Sequence, residues 1–470
     1  MSFVFWDTET TGLHTSFDQI LQFGAIHTDH ELREQDRFEV RCRLLPHVVP
    51  SAQALLTNGI TVERLTDPAL PSHYEMVRAV RARLESWSPA VFIGQNSMRF
   101  DEVLLRQAFY QTLHDPYLTN TGGNCRLDSL SIFRAVSLFA PGVLAVPPGE
   151  RGQPVFGLAS LAPANGFPHD AAHDAIGDAE ATLYLCRRVR ERAEGYWSNF
   201  VRFGPKAAAQ DFVEGSEIFA FVDAAFGWPY CRILTLLGPN PDYRSELFVF
   251  NLEYDPQALA ALADDDLGDA LASTPVPVRG LRVNAGPCIV PYEDLPAETR
   301  RQFPDIKELR DRAAYLRTNK ALAQRLMTAT AAAREPWEPS PYVEEQIYDG
   351  FPGPADRSLM AAFSHSDRAW SERAALLARL ADARLRVLAE RLLYLEAPET
   401  LEEHERSRHE ADTAKRLLAD DDSVPWLTLH QAIRETDDLL ANAAGAEASL
   451  IGGLRDSLSK RLEEARSFVT

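Results

Sequence analysis

The sequence has few cysteines, few lysines and no long apolar run. Its five cysteines are far apart and none forms a CxxC pair, which indicates neither a disulfide framework nor a thiolate zinc site. No apolar stretch approaches the roughly 20 residues that span a membrane. The N-terminal sequence MSFVFWDTET lacks the basic and apolar regions of a signal peptide. We therefore expect a cytoplasmic protein with reduced thiols and no membrane segment.

Positive charge is also scarce. The formal net charge is −20 and only five residues are lysine, and each of the blocks 1–200, 201–350 and 351–470 is acidic overall. Because nucleic-acid-binding proteins usually carry a basic surface, an anionic partner would have to be held by local arginine patches. The stretch 301–334 is one such patch, with eight Lys and Arg residues against three acids.

A length of 470 residues suggests two to four domains, and the sequence pattern changes twice. Residues 1–193 begin with three closely spaced apolar runs, followed by alternating helical and strand patterns, which predicts an α/β fold. Residues 194–338 are predicted to be β-rich with a basic helical end, and 339–470 to be amphipathic helices. The apolar spacing also predicts single helices over 126–139 and 370–395.

Acidic residues stand at the ends of two predicted strands. Asp7 and Glu9 end the strand FVFWD and lie two residues apart, so both side chains point to the same face. Asp101 follows the strand VFIG within GQNSMRFDEVLL. Taken singly, the pair is better explained by a polar strand end, and Asp101 by a helix N-cap.

A histidine and a further acid lie in the segment HDAAHDAIGDAEAT. On one continuous helix His173 and Asp178 would point about 140° apart, so we place His173 in a loop and Asp178 in the following helix. A histidine beside a fixed carboxylate suits proton transfer, and a surface histidine at a helix start is the plainer alternative. His169 and His173 would suit zinc on one helix face, but Gly166 and Pro168 disfavour a helix through both.

Together, the acidic residues predict a metal site. Four carboxylates meeting in one cleft would raise one another's pKa unless cations neutralised them. Oxygen ligands favour Mg²⁺ or Mn²⁺, and two such ions about 4 Å apart suit the hydrolysis of a phosphodiester. The candidate ligands are Asp7, Glu9, Asp101 and Asp178.

Three segments resemble the exonuclease motifs of the DEDDh superfamily, which has a ribonuclease-H-like fold. They are FVFWDTETTGL, NSMRFDEVLLRQAFY and PANGFPHDAAHDAIGDAEATLYL. Over nearly its full length, including GITVERL and VEEQIYDGFPGPADRSLM, the chain is similar to the bacterial exonuclease I family. The resemblance implies a Mg²⁺-dependent, processive 3′→5′ exonuclease of single-stranded DNA that releases 5′-mononucleotides in DNA repair and recombination. It also implies an SH3-like middle domain and a helical C-terminal domain, which with the first domain enclose a C-shaped channel.

The resemblance also assigns roles to residues. The ligands of two ions would be Asp7, Glu9, Asp101 and Asp178, and His173 would be the general base. Glu9 would also lie close to the terminal nucleotide. Phosphate and base contacts are expected from Arg106, Tyr117, Arg126 and Arg134, although a surface ion pair is the alternative for each arginine. At Gly157 the chain departs from its close relatives, which carry arginine.

Membership of this family would imply two partners. They are single-stranded DNA and the acidic C-terminal tail of single-strand DNA-binding protein, for which the stretch 301–334, with Arg310, Arg312 and Arg317, is a candidate docking site. We expect a monomer without membrane contact that associates with the nucleoid through DNA. Two other functions stay open. One is a proofreading or RNA-directed exonuclease like ribonuclease T or oligoribonuclease, which are usually much shorter, and the other is a non-catalytic scaffold, which the intact motifs disfavour.

Overall fold

The structure is a computed structural model that describes residues 1–168, 174–364, 368–420 and 423–468. We describe it in the three parts set by the predicted boundaries. Among the helices of the described residues, none is both long enough and apolar enough to cross a bilayer.

Residues 1–193 form a five-stranded sheet flanked by helices. The strands are β1 (Ser2–Thr10), β2 (Ile20–Thr28), β3 (Glu34–Arg41), β4 (Ala90–Gly94) and β5 (Cys125–Asp128). Their order is β3-β2-β1-β4-β5, with β1 antiparallel to β2 and parallel to β4. The helices are α1 (Ala52–Asn58), α2 (Val62–Leu65), α3 (His73–Trp87), α4 (Asp101–Gln111), α5 (Ser129–Phe139), α6 (Leu158–Ala164) and α7 (Ala175–Arg192). The predicted α/β class is confirmed.

The carboxyl ends of β1, β4 and β5 lie at one edge of this sheet because the three strands run parallel. On β2, Gly24 pairs with Asp7 and lies against the start of α7. A Cβ added at Gly24 would lie 2.5 Å from the backbone nitrogen of Ile176, so only glycine permits this approach. The start of α7 is thereby brought to the end of β1.

Residues 194–338 contain a second sheet. The strands are β6 (Phe219–Ala225), β7 (Trp228–Pro239), β8 (Glu246–Asn251), β9 (Val278–Arg282) and β10 (Ile289–Pro291). They pair only antiparallel, in the order β10-β6-β7-β8-β9. The helices are α8 (Glu194–Arg202), α9 (Lys206–Gly215), α10 (Pro256–Ala260), α11 (Asp264–Leu271), α12 (Ala297–Arg300), α13 (Ile306–Thr318) and α14 (Lys320–Ala332).

The described residues of the range 339–470 are mainly helical, as predicted. The helices are α15 (Pro354–Phe363), α16 (Trp370–Leu377), α17 (Ala383–Glu396), α18 (Glu403–Leu417), α19 (Leu429–Leu440) and α20 (Gly445–Ser467). Tyr74 and Tyr110 of the first part pack against α15, α16 and α17, and α1 and α2 pack against α18, α19 and α20. The helical part is therefore fixed to the first part by two separate apolar contacts.

Two predicted helices are wrong at one point each. Residues Cys125–Asp128 are not the start of a helix but strand β5, and Asp128 caps α5 by accepting the backbone N–H of Leu130 at 3.0 Å. The helix predicted over 370–395 is two helices, because the buried Asp356 accepts the backbone N–H groups of Ala381 and Asp382 and so fixes a turn between them.

The first and second parts share one hydrophobic core. It runs from Phe3 and Ile93 on the first sheet through α5 to Phe248 and Phe250 on the second. The predicted boundary at residue 193 therefore divides the sequence pattern without dividing the core.

Candidate active site

Three carboxylates meet at the carboxyl edge of the first sheet. Asp7 and Glu9 come from the end of β1 and Asp178 from the first turn of α7. One oxygen atom of each lies within 4.8 Å of the others. Three of the four candidate metal ligands are therefore assembled at one point.

Asp101, the fourth candidate, is the first residue of α4 and is only 5% exposed. Thr8 donates a hydrogen bond from Oγ1 to Oδ1 of Asp101 at 2.6 Å. The Asp101 carboxylate raises the pKa of both Asp7 and Glu9, so it lies within their electrostatic reach. It does not cap α4, because the N-cap position belongs to Phe100.

Burial and mutual repulsion oppose ionisation at this site. Burial, followed by the charges of Asp101, Asp178 and Glu9, raises the pKa of Asp7 well above its ordinary value. Burial, followed by the charges of Asp178 and Asp101, raises the pKa of Glu9 to about 8. Burial also raises the pKa of Asp101 to about 6. The donors are all carboxylate oxygens, which hard divalent cations prefer, and such cations would offset this repulsion.

Asp174, the residue just before α7, is held in place by side chains of the first sheet. Its Oδ1 accepts hydrogen bonds from Nε2 of Gln22 at 2.8 Å and from Nη2 of Arg41 at 2.6 Å. The strands beside β1 therefore anchor the helix that carries a metal ligand. The predicted base His173, and His169 of the zinc alternative, lie outside the described residues.

Asp128 is a residue of this edge that the sequence pattern does not reveal. One of its oxygens accepts the backbone N–H groups of Asn96 at 2.9 Å and Leu130 at 3.0 Å, and the other accepts that of Met98 at 3.3 Å. Asn96 has a φ of 57° and begins the tight turn that leads to Asp101. The available signal, an aspartate after a short apolar run, is obscured because the same run also fits a helix.

Two of the arginines expected to contact the substrate meet the buried carboxylate of Glu102. Its Oε1 accepts hydrogen bonds from Nη1 of Arg126 at 2.7 Å and from Nε of Arg106 at 3.0 Å. The side chain of Arg126 is 4% exposed, which places it inside the protein. The guanidinium of Arg106 lies 5.3 Å from the centre of the Tyr117 ring, so these two residues form one stacked pair.

The third of these arginines, Arg134, projects from α5 toward the second sheet. Its guanidinium lies within electrostatic reach of Asp128 and of Asp223 on β6, and its Cζ is 6.0 Å from the centre of the Phe156 ring. Arg134 therefore lies between the carboxyl edge of the first sheet and the β6 strand.

A loop connects this region to α6. Nε2 of Gln95, just after β4, donates a hydrogen bond to the carbonyl of Phe156 at 2.8 Å. Gly157 follows at the N-cap of α6 with a φ of −63°, and a Cβ added there would meet nothing within 4 Å. The backbone at Gly157 can therefore accept a larger side chain.

The arginines of the candidate docking stretch have acidic neighbours within the chain. Arg310 and Arg317 both pair with Glu217, and Arg312 pairs with Glu308. Part of the positive charge of this stretch is therefore offset internally.

Two family models match the chain: exonuclease over residues 4–186 and exonuclease I C-terminal domain over residues 341–456. An exodeoxyribonuclease I of Escherichia coli K12 is 29% identical over 380 residues, which cover 76% of this chain and 78% of that protein. Exonuclease I of E. coli in complex with a dA16 oligonucleotide superposes with a TM-score of 0.86 at 24% sequence identity. A structure of SSB/exonuclease I in complex with an inhibitor superposes with a TM-score of 0.83 at 23% sequence identity. Each superposition covers 98% of this chain and 99% of the other, which shows a shared fold.

Proposed function

The chain belongs to the exonuclease I family, and we propose that it hydrolyses single-stranded DNA from the 3′ end, processively, and releases 5′-mononucleotides. The observation that carries this proposal is the meeting of Asp7, Glu9 and Asp178 at one sheet edge, next to the Asp101 carboxylate held by Thr8. Such an oxygen-only set of ligands suits metal-assisted hydrolysis of a phosphodiester.

The enzyme depends on a divalent metal ion, which we propose to be Mg²⁺, bound as a pair and replaceable by Mn²⁺. When bound, the ions would supply an activated water and would offset the negative charge on the departing 3′-oxygen. Other side chains of the protein hold the metal ligands in place. Thr8 orients Asp101 through a hydrogen bond. Gln22 and Arg41 fix the start of α7 through their hydrogen bonds to Asp174. The proposed ligands are Asp7, Glu9, Asp101 and Asp178.

We assign the general base to His173, which immediately precedes the anchored Asp174. Its imidazole would take the proton of the attacking water. We also propose that Glu9, which is 9% exposed at the end of β1, lies close to the terminal nucleotide.

For the substrate contacts we propose the arginines that keep some exposed surface, and the Arg106 side chain is 14% exposed. Arg106 with Tyr117, together with Arg134, are the proposed contacts for phosphates and bases. Arg126 is buried against Glu102. We therefore propose that Arg126 holds the Glu102 carboxylate in position for Arg106, which binds the same carboxylate.

Single-strand DNA-binding protein is the proposed protein partner. We keep the stretch 301–334, which contains α13 and α14, as the candidate dock for its acidic tail. There the tail would compete with Glu217 and Glu308 for arginines. If replacement of Arg310, Arg312 and Arg317 by alanine leaves tail-peptide binding unchanged, the dock lies elsewhere. We further propose a monomer. Its parts 1–193, 194–338 and 339–470 differ in sequence pattern, and the first two share one core.

A comparison of three substrates tests the function. Single-stranded DNA, duplex DNA and single-stranded RNA of the same sequence are incubated with the protein, with and without Mg²⁺. We expect rapid loss of single-stranded DNA from its 3′ end only with Mg²⁺. Faster degradation of RNA would overturn the assignment in favour of a ribonuclease T-like or oligoribonuclease-like activity.

A further inference from the structure

The loop between β1 and β2 begins two residues after Glu9 and is built around the carboxylate of Asp18. Oδ1 of Asp18 accepts a hydrogen bond from Oγ1 of Thr11 at 2.7 Å, and Oδ2 accepts the backbone N–H of His14 at 2.7 Å. A Cβ added at Gly12 would lie 2.6 Å from this carboxylate, so the loop closes tightly on itself. A displacement of one loop residue therefore reaches the end of β1.

The same loop contacts α4, the helix that begins with Asp101. Nε2 of Gln111 donates a hydrogen bond to the carbonyl of Ser16 at 3.2 Å, and Nε2 of Gln107 donates one to Oγ of Ser16 at 3.5 Å. The loop therefore connects strand β1 to helix α4, and both of these elements carry proposed metal ligands.

One ring of this loop is enclosed by the helical part of the chain. Phe17 is 6% exposed. The centre of its ring lies 5.4 Å from that of Trp426 and 5.9 Å from that of Tyr342, both in edge-to-face arrangements. Trp426 and Tyr342 also meet edge to face at 5.1 Å, so the three rings form one cluster. Rings in this geometry attract one another beyond the apolar area that they bury.

A network of ion pairs in the helical part supports this aromatic cluster. Cζ of Arg416 on α18 lies 4.3 Å from the centre of the Trp426 ring and 5.4 Å from that of Phe17. Oε1 of the buried Glu344 accepts hydrogen bonds from Nη1 of Arg416 at 2.8 Å and from Nη1 of Arg391 at 2.9 Å. Nε1 of Trp426 donates to the carbonyl of Arg416 at 3.0 Å. The helical part therefore holds Trp426 by contacts that do not involve Phe17.

We propose that Trp426 is a positioning residue for hydrolysis, which acts through Phe17 on the loop that connects β1 and α4. This inference rests on the proposed function and gives the helical part a role in the chemical step. Without the Trp426 ring the loop can shift, and the carboxylates of Glu9 and Asp101 lose part of their alignment. Because a misplacement of about 1 Å can lower a rate about 100-fold, a contact outside the site controls the reaction.

The test compares Trp426→Ala with Trp370→Ala as the matched control. The ring of Trp370 also joins the helical part to the first part, but it packs 5.3 Å from the ring of Tyr74 on α3. Three quantities are measured: kcat on dT20 with Mg²⁺, the Kd for dT20 without Mg²⁺, and the melting temperature. We expect the kcat of Trp426→Ala to fall about 10- to 100-fold, with a Kd within about twofold of the wild type. Trp370→Ala should melt at a similarly reduced temperature and keep the wild-type kcat.

Phe17→Ala and the double variant show whether Trp426 acts through Phe17. We expect the double variant to have the kcat of Phe17→Ala alone, because the two changes remove the same contact. Trp426→Phe keeps a ring against Phe17 and should recover most of the rate. The inference is overturned if the two losses multiply in the double variant, if Trp426→Phe is as slow as Trp426→Ala, or if Trp426→Ala and Trp370→Ala have the same kcat.

A wild-type protein that does not hydrolyse dT20 would instead overturn the proposed function. Where Trp426→Ala does not fold, Arg416→Gln decides, because it removes the cation from both rings while Arg391 still pairs with Glu344. We expect its kcat to fall about threefold at an unchanged Kd, and a wild-type kcat would overturn the inference.

Discussion

Glu9 links protonation of the site to the stability of the fold. Its pKa of about 8 in the folded protein lies above the ordinary value of 4.5, so between these two pH values the folded protein binds more protons than the unfolded chain. The stabilisation is fully present below pH 4.5 and is lost as the pH rises through 8. Asp101 acts in the same direction, because its pKa is raised from 3.8 to about 6.

The variant Glu9→Gln tests this linkage. Without the ionisable group, the melting temperature of the metal-free protein should fall less between pH 4.5 and pH 8, and Mg²⁺ should raise it less at pH 8. Thermal melts with and without Mg²⁺ measure both quantities. Asp265→Asn, an exposed acid on α11, is the control. A pH slope and a Mg²⁺ shift equal to those of the wild type would contradict the account.

Gly157 offers a gain-of-function test at the edge of the site. Because its φ is −63° and a Cβ would meet open space, Gly157→Arg should fold as well as the wild type. The added cation should lower the KM for single-stranded DNA, by about three- to tenfold for one phosphate contact. Gly157→Glu reverses the charge and should raise the KM. If both variants change the KM in the same direction, the position does not contact the strand backbone.

At the scale of elements, the sequence predicts the strands and helices that are specified by their own side chains. The apolar central strands β1 and β4 and helices such as α3, with its capping box at Ser72, are of this kind. Strand β5 is too short for its periodicity to distinguish it from a helix. The break before α17 depends on Asp356, some 25 residues earlier in the chain, and no local pattern records such a contact.

The residues of the active site fall into the same two groups, those with a local sequence signal and those without one. The carboxylates Asp7, Glu9, Asp101 and Asp178 are predictable because their motifs carry them. The residues that position them act through contacts between distant parts of the chain, as when Asp128 holds the turn at Asn96 or Gln22 reaches Asp174. Such contacts depend on the fold and leave no local sequence signal.

Replacement of Asp128 tests the turn before Asp101. Asp128→Ala removes the cap of α5, which costs about 1 kcal/mol of stability, and frees the turn that places a metal ligand. We expect activity to fall about 10- to 100-fold, with an increase in the Mg²⁺ concentration needed for half-maximal rate. Asp128→Asn keeps an oxygen for Asn96 and Leu130 and should recover part of the loss.

Asp305→Ala is the matched control for this variant, because Asp305 caps α13 through the N–H of Lys307. It should lose similar stability without loss of activity. If Asp128→Ala and Asp305→Ala have equal activity at saturating Mg²⁺ and an equal Mg²⁺ requirement, Asp128 does not position the site.

At the scale of the whole molecule, the acidic net charge and a nucleic-acid substrate are compatible. Four carboxylates of the −20 total are proposed metal ligands, and arginines such as Arg310 and Arg317 are paired within the chain. Among the residues that the structure describes, Arg99 and Arg134 have no ion pair, which fits the expectation that local arginine patches hold an anionic partner.

The shared core predicts that the first part does not fold alone. A fragment of residues 1–193 would expose the apolar surface that α5 buries against strands β6 and β7 of the second sheet. We expect this fragment to aggregate or to melt without cooperativity, in contrast to the full chain, as monitored by circular dichroism and gel filtration. A monomeric fragment that melts cooperatively near the temperature of the full chain would show that the two parts are independent.

The central claim is that the carboxylates at the end of β1 and the start of α7 hold the ions that hydrolyse single-stranded DNA. The most direct test is the initial rate of hydrolysis of a 5′-labelled single-stranded oligonucleotide as Mg²⁺ is varied, for the wild type and for Asp178→Asn. We predict a saturable Mg²⁺ dependence in the wild type and a rate lower by about 1,000-fold or more in the variant at every Mg²⁺ concentration. A variant that keeps the wild-type rate and the same Mg²⁺ dependence would contradict the account.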